Sequence, residues 1–127
     1  MVRVSGANKF VKLLELLRQA DFNRVLVFAR TKHGSEKLSR DLKKEGIRAE
    51  SIHGNKSQSQ RQRALATFKQ GLVQVLVATD VAARGLDISD ISHVINYDIP
   101  ATYEDYIHRI GRTGRANKRG KALTFVE

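Results

Sequence analysis

Two rhythms of apolar residues alternate along this chain of 127 residues. Phe10, Val11, Leu13, Leu14, Leu16 and Leu17 recur at the spacing of a helix face, which predicts a helix over residues 8–20. The run "RVLVFAR" at 24–30 is a short, continuous Val/Leu/Phe stretch and reads as a buried strand. A polar helix over 33–45 follows, with Leu38 and Leu42 on one face and Gly46 as its stop. "RAESI" at 48–52 is a second strand. Ser57 and Gln60 have capping-box spacing and open a helix that turns Leu65 and Phe68 inward and ends at Gly71. "VQVLVAT" at 73–79, "HVINY" at 93–97 and "ALTFV" at 122–126 are three further strands. Thr102 and Asp105 repeat the capping-box spacing and open a helix leading into "HRIGRTGR" at 108–115.

Strands that alternate with helices predict an α/β fold, a parallel sheet with helices on both faces in three layers. In such sheets ligands gather beyond the carboxyl ends of the strands. The polar, glycine-bearing stretches of this chain follow strands: Arg30 to Lys32, His53 to Gln58, Thr79 to Asp87, and the cluster at 108–115. They are expected along one edge.

Composition narrows the partners. The length suits a single domain over 1–127, and a hydrophobic fraction of 41% with 6% aromatics suits an aliphatic core. Lys plus Arg number 23 against 13 Asp plus Glu, a net charge of +10 that favours a polyanionic partner. No apolar run approaches the ~20 residues of a spanning helix and no leader opens the chain, so a membrane is not expected as the partner. The absence of cysteine removes disulfides, thiolate metal sites and cysteine nucleophiles and fits an intracellular protein; a cytoplasmic location is expected. His33, His53, His93 and His108 lack metal-ligand spacing, so no metal site is expected.

The phosphate-cradling pattern G-x-x-x-x-G-K-[ST] is absent; the nearest approach, Gly114 to Lys121, is one residue too long and is followed by Ala122. Arg109, Arg112 and Arg115 are nevertheless set around Gly111 and Gly114. Arginines that serve a phosphoryl transfer without its own cradle act across an interface, where one such finger is worth ~10³–10⁵ in rate. A solvated basic surface accounts for the spacing equally well. In "VLVATDVAARGLDI" at 75–88, a hydroxyl and bare amides at a strand end suit a nucleic-acid phosphate, and Asp87 suits a ribose hydroxyl pair. Asp80 suits the N-cap of a turn over 81–84, and Thr79 ordinary strand-end bonding. In "IHGNKSQSQR" at 52–61, Gly54 precedes a helix start bearing Gln58 and Arg61, which suits a backbone phosphate or merely a capped helix.

Taken together, "VLVFARTK", "SIHGNKSQSQRQRALATFKQG", "VLVATDVAARGLDI" and "YIHRIGRTGR", in that order, resemble motifs IV to VI of the second RecA-like domain of DEAD-box ATP-dependent RNA helicases. The resemblance covers nearly the whole chain, and the wording is most similar to the bacterial RhlE-like branch. It implies a RecA-like fold and an enzyme that closes two domains on ATP and RNA. By this resemblance Arg112 and Arg115 reach the γ-phosphate, with Arg115 the better finger, while His108 and Arg109 latch the domains. Asp87 then bonds the ATP ribose, and Arg84 with Gly85 faces the acidic motif of the first domain. Thr31, Gly54, Gln58, Arg61 and Thr79 line the RNA backbone, and Phe28 packs beneath motif VI. ATP and Mg²⁺ are held mainly by the N-terminal RecA-like domain, whose motifs are not in this sequence. The chain then reads as half of a helicase, inactive as an ATPase alone. A stand-alone RNA-binding or regulatory module, or half of a DNA helicase, are the competing readings.

Overall fold

A computed structural model describes residues 2–3, 8–54, 56–83, 91–98 and 121–126. Ten elements follow in chain order: β1 (Val2–Arg3), α1 (Lys9–Leu17), β2 (Val25–Phe28), α2 (Lys32–Lys44), β3 (Ala49–Ile52), α3 (Gln58–Lys69), β4 (Val75–Ala78), α4 (Asp80–Ala83), β5 (His93–Asn96) and β6 (Lys121–Val126). The six strands form one sheet in the order β1-β6-β5-β2-β4-β3. Every described pairing is parallel.

Strand side chains alternate between faces, and this sorts the core into two layers. Val25, Val27, Val75 and Val77 pack with Leu13, Leu14, Leu16 and Leu17 of α1 and Leu38 and Leu42 of α2. Leu26, Phe28, Leu76 and Ala78 face the other way, onto Ala64 and Phe68 of α3 and Ala82 and Ala83 of α4. The central strands β2 and β4 are buried on both faces, which is why they read as unbroken apolar runs. This is the expected three-layer α/β/α arrangement.

The ends of the elements follow local chemistry. Ser57 caps α3 through a full capping box: its hydroxyl accepts from the Gln60 amide at 3.2 Å, and the Gln60 side chain accepts from the Ser57 amide at 2.9 Å. After α2 and α3 the chain turns through Gly46 at φ 83° and Gly71 at φ 77°, a left-handed conformation costly for other residues. Phe68 is fully buried, whereas Leu65 is only partly so. Helix α1 ends at Leu17, short of the expected residue 20, because the Gln19 amide bonds the Leu16 carbonyl and tightens the chain into a turn. Asp80 does not cap the turn after β4 but is the first residue of α4; the Thr79 carbonyl accepts from the Ala83 amide, so Thr79 holds the cap position. The two-residue strand β1 was not expected, since so short an element carries no periodicity and exists only by pairing with β6. The expected helix after Thr102 lies outside the described residues.

One carboxylate ties α2 to the loop after β3. Glu36 Oε1 lies 3.1 Å from His53 Nε2 and 3.2 Å from Lys56 Nζ, and the Ser51 hydroxyl donates to it at 3.3 Å. The His53 hydrogen bond chiefly, with Lys56 beside it, outweighs partial burial and holds the Glu36 pKa at about 2, down from 4.5. A carboxyl whose pKa falls on folding adds stability above its unfolded pKa, and this is lost as pH falls through the folded value. Glu36→Gln is therefore expected to destabilise the protein at neutral pH, with the deficit shrinking as pH falls from 4.5 towards about 2. Denaturant unfolding across that range measures it; a deficit independent of pH contradicts the assignment.

Candidate nucleic-acid interface

The parallel register brings the strand ends into one row. Phe28 of β2 is level with Ala78 of β4 and Asn96 of β5, and Ile52 of β3 is level with Ala78. The segments that leave these four positions therefore emerge side by side, at the carboxyl edge where such sheets bind ligands. Thr31, Gly54 with Gln58, and Thr79 follow Phe28, Ile52 and Ala78 respectively. All five of the expected RNA-facing residues within the described set, Arg61 included, thus belong to this edge or to the helix that starts on it.

Thr31 is the N-cap of α2, extended at φ −119° and ψ 157°, and its hydroxyl oxygen accepts from the Gly34 amide at 2.9 Å. The cap uses only the acceptor side of the hydroxyl. The exposed Thr31 O–H is left to donate outward, as a phosphate oxygen requires. Gln58 and Arg61 stand three residues apart on α3, so they share a face of its first turn. Arg61 has no hydrogen-bond or ion-pair partner for its guanidinium among the described residues. The positive end of α3 and the Arg61 charge together favour an anion, although the Gln60 amide is already taken by the Ser57 hydroxyl.

Gly54 is exposed, and a Cβ built on it meets nothing within 4 Å; its backbone does not require glycine either. The fold has no need of a glycine there, and a bare position leaves room for something to approach the backbone from outside. Thr79, by contrast, is 8% exposed and its amide bonds the Ile52 carbonyl at 3.3 Å, which knits the ends of β3 and β4 together.

Two buttresses of this edge carry no signal in the sequence. Asp98, just after β5, accepts from the Arg30 amide at 2.7 Å and from Lys9 Nζ at 2.7 Å, and Lys9 also lies over the Tyr97 ring. Burial pushes the Asp98 pKa up, but the bonds from Lys9 and the Arg30 amide more than offset this and hold it below the usual carboxylate value. Asp98 thereby fixes the loop that presents Thr31, as Glu36 fixes the loop that presents Gly54. The partners are 68 and 89 residues apart in one case and 17 in the other, so no local spacing reveals them.

Arg84, Gly85, Asp87, His108, Arg109, Arg112 and Arg115 lie outside the described residues. Phe28 is buried in the core layer formed with α3 and α4. Among the described residues no group of three His, Asp or Glu side chains is placed to hold a metal ion, and no helix is long and apolar enough to cross a membrane.

Comparison with known proteins matches residues 8–117 to the helicase conserved C-terminal domain. The chain is 58% identical over 117 residues to DEAD-box ATP-dependent RNA helicase 5 of Arabidopsis thaliana, covering 92% of this chain and 22% of that protein. The chain spans about a quarter or less of the first curated relatives it matches. Among solved structures it is similar to the E. coli DEAD-box protein SrmB bound to regulator of ribonuclease activity A, with a TM-score of 0.94 and 42% identity, covering 99% of this chain and 75% of that one. It is also similar to S. cerevisiae Dbp5 bound to RNA and ADP BeF3, with a TM-score of 0.87 and 37% identity, covering 100% of this chain and 34% of that one. With the RecA-like sheet and the matched motifs in hand, the chain belongs to the helicase conserved C-terminal domains, in the DEAD-box RNA helicase group.

Proposed function

We propose that this chain is one half of an ATP-driven RNA-unwinding machine, lending arginines to a nucleotide held by a partner domain and contributing one wall of the RNA cleft. The observation that carries this reading is the row of strand ends that aligns the Thr31, Gly54–Gln58 and Thr79 segments at a single edge. Hydroxyls, helix-start amides and a lone arginine are backbone-reading groups and name no base, so the RNA is gripped with little sequence preference. That Dbp5 binds RNA on a similar fold supports the choice of ligand.

The nucleotide chemistry falls to the arginines. No G-x-x-x-x-G-K-[ST] cradle occurs in the sequence, so ATP and its Mg²⁺ rest mainly on the N-terminal RecA-like partner. Arg112 and Arg115 suit the γ-phosphate, since a guanidinium stays charged and grips two oxygens at once. His108, Arg109 and Arg84 with Gly85 serve the contact between domains, and Asp87 suits the ribose. RNA binding at the aligned edge then favours the closed state that brings Arg115 to the nucleotide, which links hydrolysis to strand separation. The setting is cytoplasmic.

Mixing this chain with its ATP-binding partner domain tests the division of labour. Neither half alone is expected to hydrolyse ATP appreciably, and together they regain RNA-stimulated hydrolysis. Arg115→Ala in this half lowers that rate by about 10³-fold or more, with most RNA binding kept. Robust hydrolysis by this chain alone would overturn the proposal, and indifference to Arg115→Ala would favour an ATP-independent RNA-binding module. Gly54→Ala tests the RNA wall separately. The fold has room for the methyl group, so thermal stability is expected unchanged while the RNA concentration for half-maximal stimulation rises several-fold. Unaltered RNA dependence would remove Gly54 from the interface.

A further inference from the structure

We propose that the outer ridge of α2, made by His33, Lys37, Arg40 and Lys44, is an accessory track for the backbone of RNA that leaves the sheet edge at Thr31. The inference rests on the RNA reading above and extends it to a surface outside the aligned strand ends.

The four residues are spaced i, i+4, i+7 and i+11, so they fall within a narrow sector of one helix face. All four are exposed, and Ser35, Leu38, Ser39 and Leu42 occupy the opposite, buried face. The ridge runs for about 17 Å along the helix. Its upper end, His33, is two residues from Thr31, whose outward hydroxyl already belongs to the candidate interface. A strand following that edge and turning down the flank of the domain meets the ridge without a break.

A solvated helix surface usually balances its charges, and this one does not. The helix carries two carboxylates, and neither neutralises the ridge as a whole. Glu36 is occupied by His53 and Lys56. Asp41 pairs with Lys37 at 2.7 Å. Arg40 and Lys44 have no ion-pair or hydrogen-bond partner for their side chains among the described residues. Two unpaired cations, a third only singly paired and a histidine in line with them match a run of phosphates. At ~3.4 Å of rise per stacked nucleotide, the ridge spans about five of them. An electrostatic track of this kind adds affinity and salt dependence and no sequence preference.

The test uses the intact protein that carries this chain with its ATP-binding partner domain. The parent and the double variant Arg40→Ala/Lys44→Ala are titrated over a range of salt with two fluorescent single-stranded RNAs. One is just long enough to fill the cleft; the other extends about five to ten nucleotides beyond it on either side. The two substituted side chains are exposed, and an unchanged melting temperature confirms that the fold is kept. The expected result is that the long RNA binds several-fold more weakly to the variant at physiological salt. Its log K against log salt slope falls by about 1.4, the value for two lost phosphate contacts on a single strand, while the short RNA binds both proteins alike. Charge reversal, Arg40→Glu/Lys44→Glu, deepens the loss for the long RNA only. Equal slopes for parent and variant on the long RNA, or equal losses on both RNAs, would overturn the track. Equal slopes would leave an acidic protein surface as the ridge's counterpart. Failure of the parent to bind the short RNA would instead count against the RNA reading itself.

Discussion

β2 is hydrogen-bonded in parallel to β4 on one side and to β5 on the other, and the arrangement of the whole molecule follows from that double pairing. A strand in this position has no solvent face and no exposed backbone edge. Its side chains are all apolar and all buried, and each adjoining helix covers a row of them. Parallel neighbours also demand crossovers, so the chain must pass through a helix between successive central strands. The consequence for function is geometric. Each crossover begins at the same edge, and chemistry placed just after a strand lands beside chemistry placed after its neighbour in the sheet.

That edge is braced by charge in addition to backbone hydrogen bonds and the packing of Ala29 and Tyr97. Asp98 and Glu36 both have pKa values held down by donors from other segments, Lys9 of α1 and the Arg30 amide for Asp98, His53 and Lys56 for Glu36. Asp98 adds side-chain bonds between segments that its own amide already joins through the Phe28 carbonyl, and Glu36 ties α2 to the loop after β3. On the proposed RNA reading, turns held in this way keep the Thr31 and Gly54 segments in fixed positions for the strand they would face. α2 belongs to both sides of this design. Its inner face seals a core layer with Leu38 and Leu42, its N-cap holds the Thr31 hydroxyl in place, its Glu36 braces the adjacent loop, and its outer ridge carries the uncompensated charge.

Much of this architecture was legible in the residues alone. β2 and β4 announce themselves as apolar runs too short for helices, and the Ser57–Gln60 pair marks the start of α3 through bonds made within one turn. Gly46 and Gly71 mark helix ends because the left-handed turn is itself a local property. What depended on distant partners was not legible. β1 exists only by pairing with β6 across the whole length of the chain, and the Asp98 and Glu36 buttresses join residues with no local relation. Asp80 looked like a cap from its residue type, but the chain direction after Ala78 gives that position to Thr79. The row formed by Thr31, Gly54 and Thr79 was foreseeable from a rule about parallel sheets. The candidate arginines at 84, 109, 112 and 115 rest on motif resemblance, since they lie outside the described residues.

The central claim is that RNA meets the carboxyl edge of this sheet and not the opposite one. Backbone amide NMR of the chain, alone and with single-stranded RNA, tests it most directly. The largest shift changes are expected at Thr31, Gly54, Gln58, Arg61 and Thr79. Little change is expected at Arg48, Gly71 and Gln74, which line a cleft of about 260 Å³ by the amino ends of β3 and β4. Changes concentrated on Arg48, Gly71 and Gln74, with the strand ends undisturbed, would contradict the account.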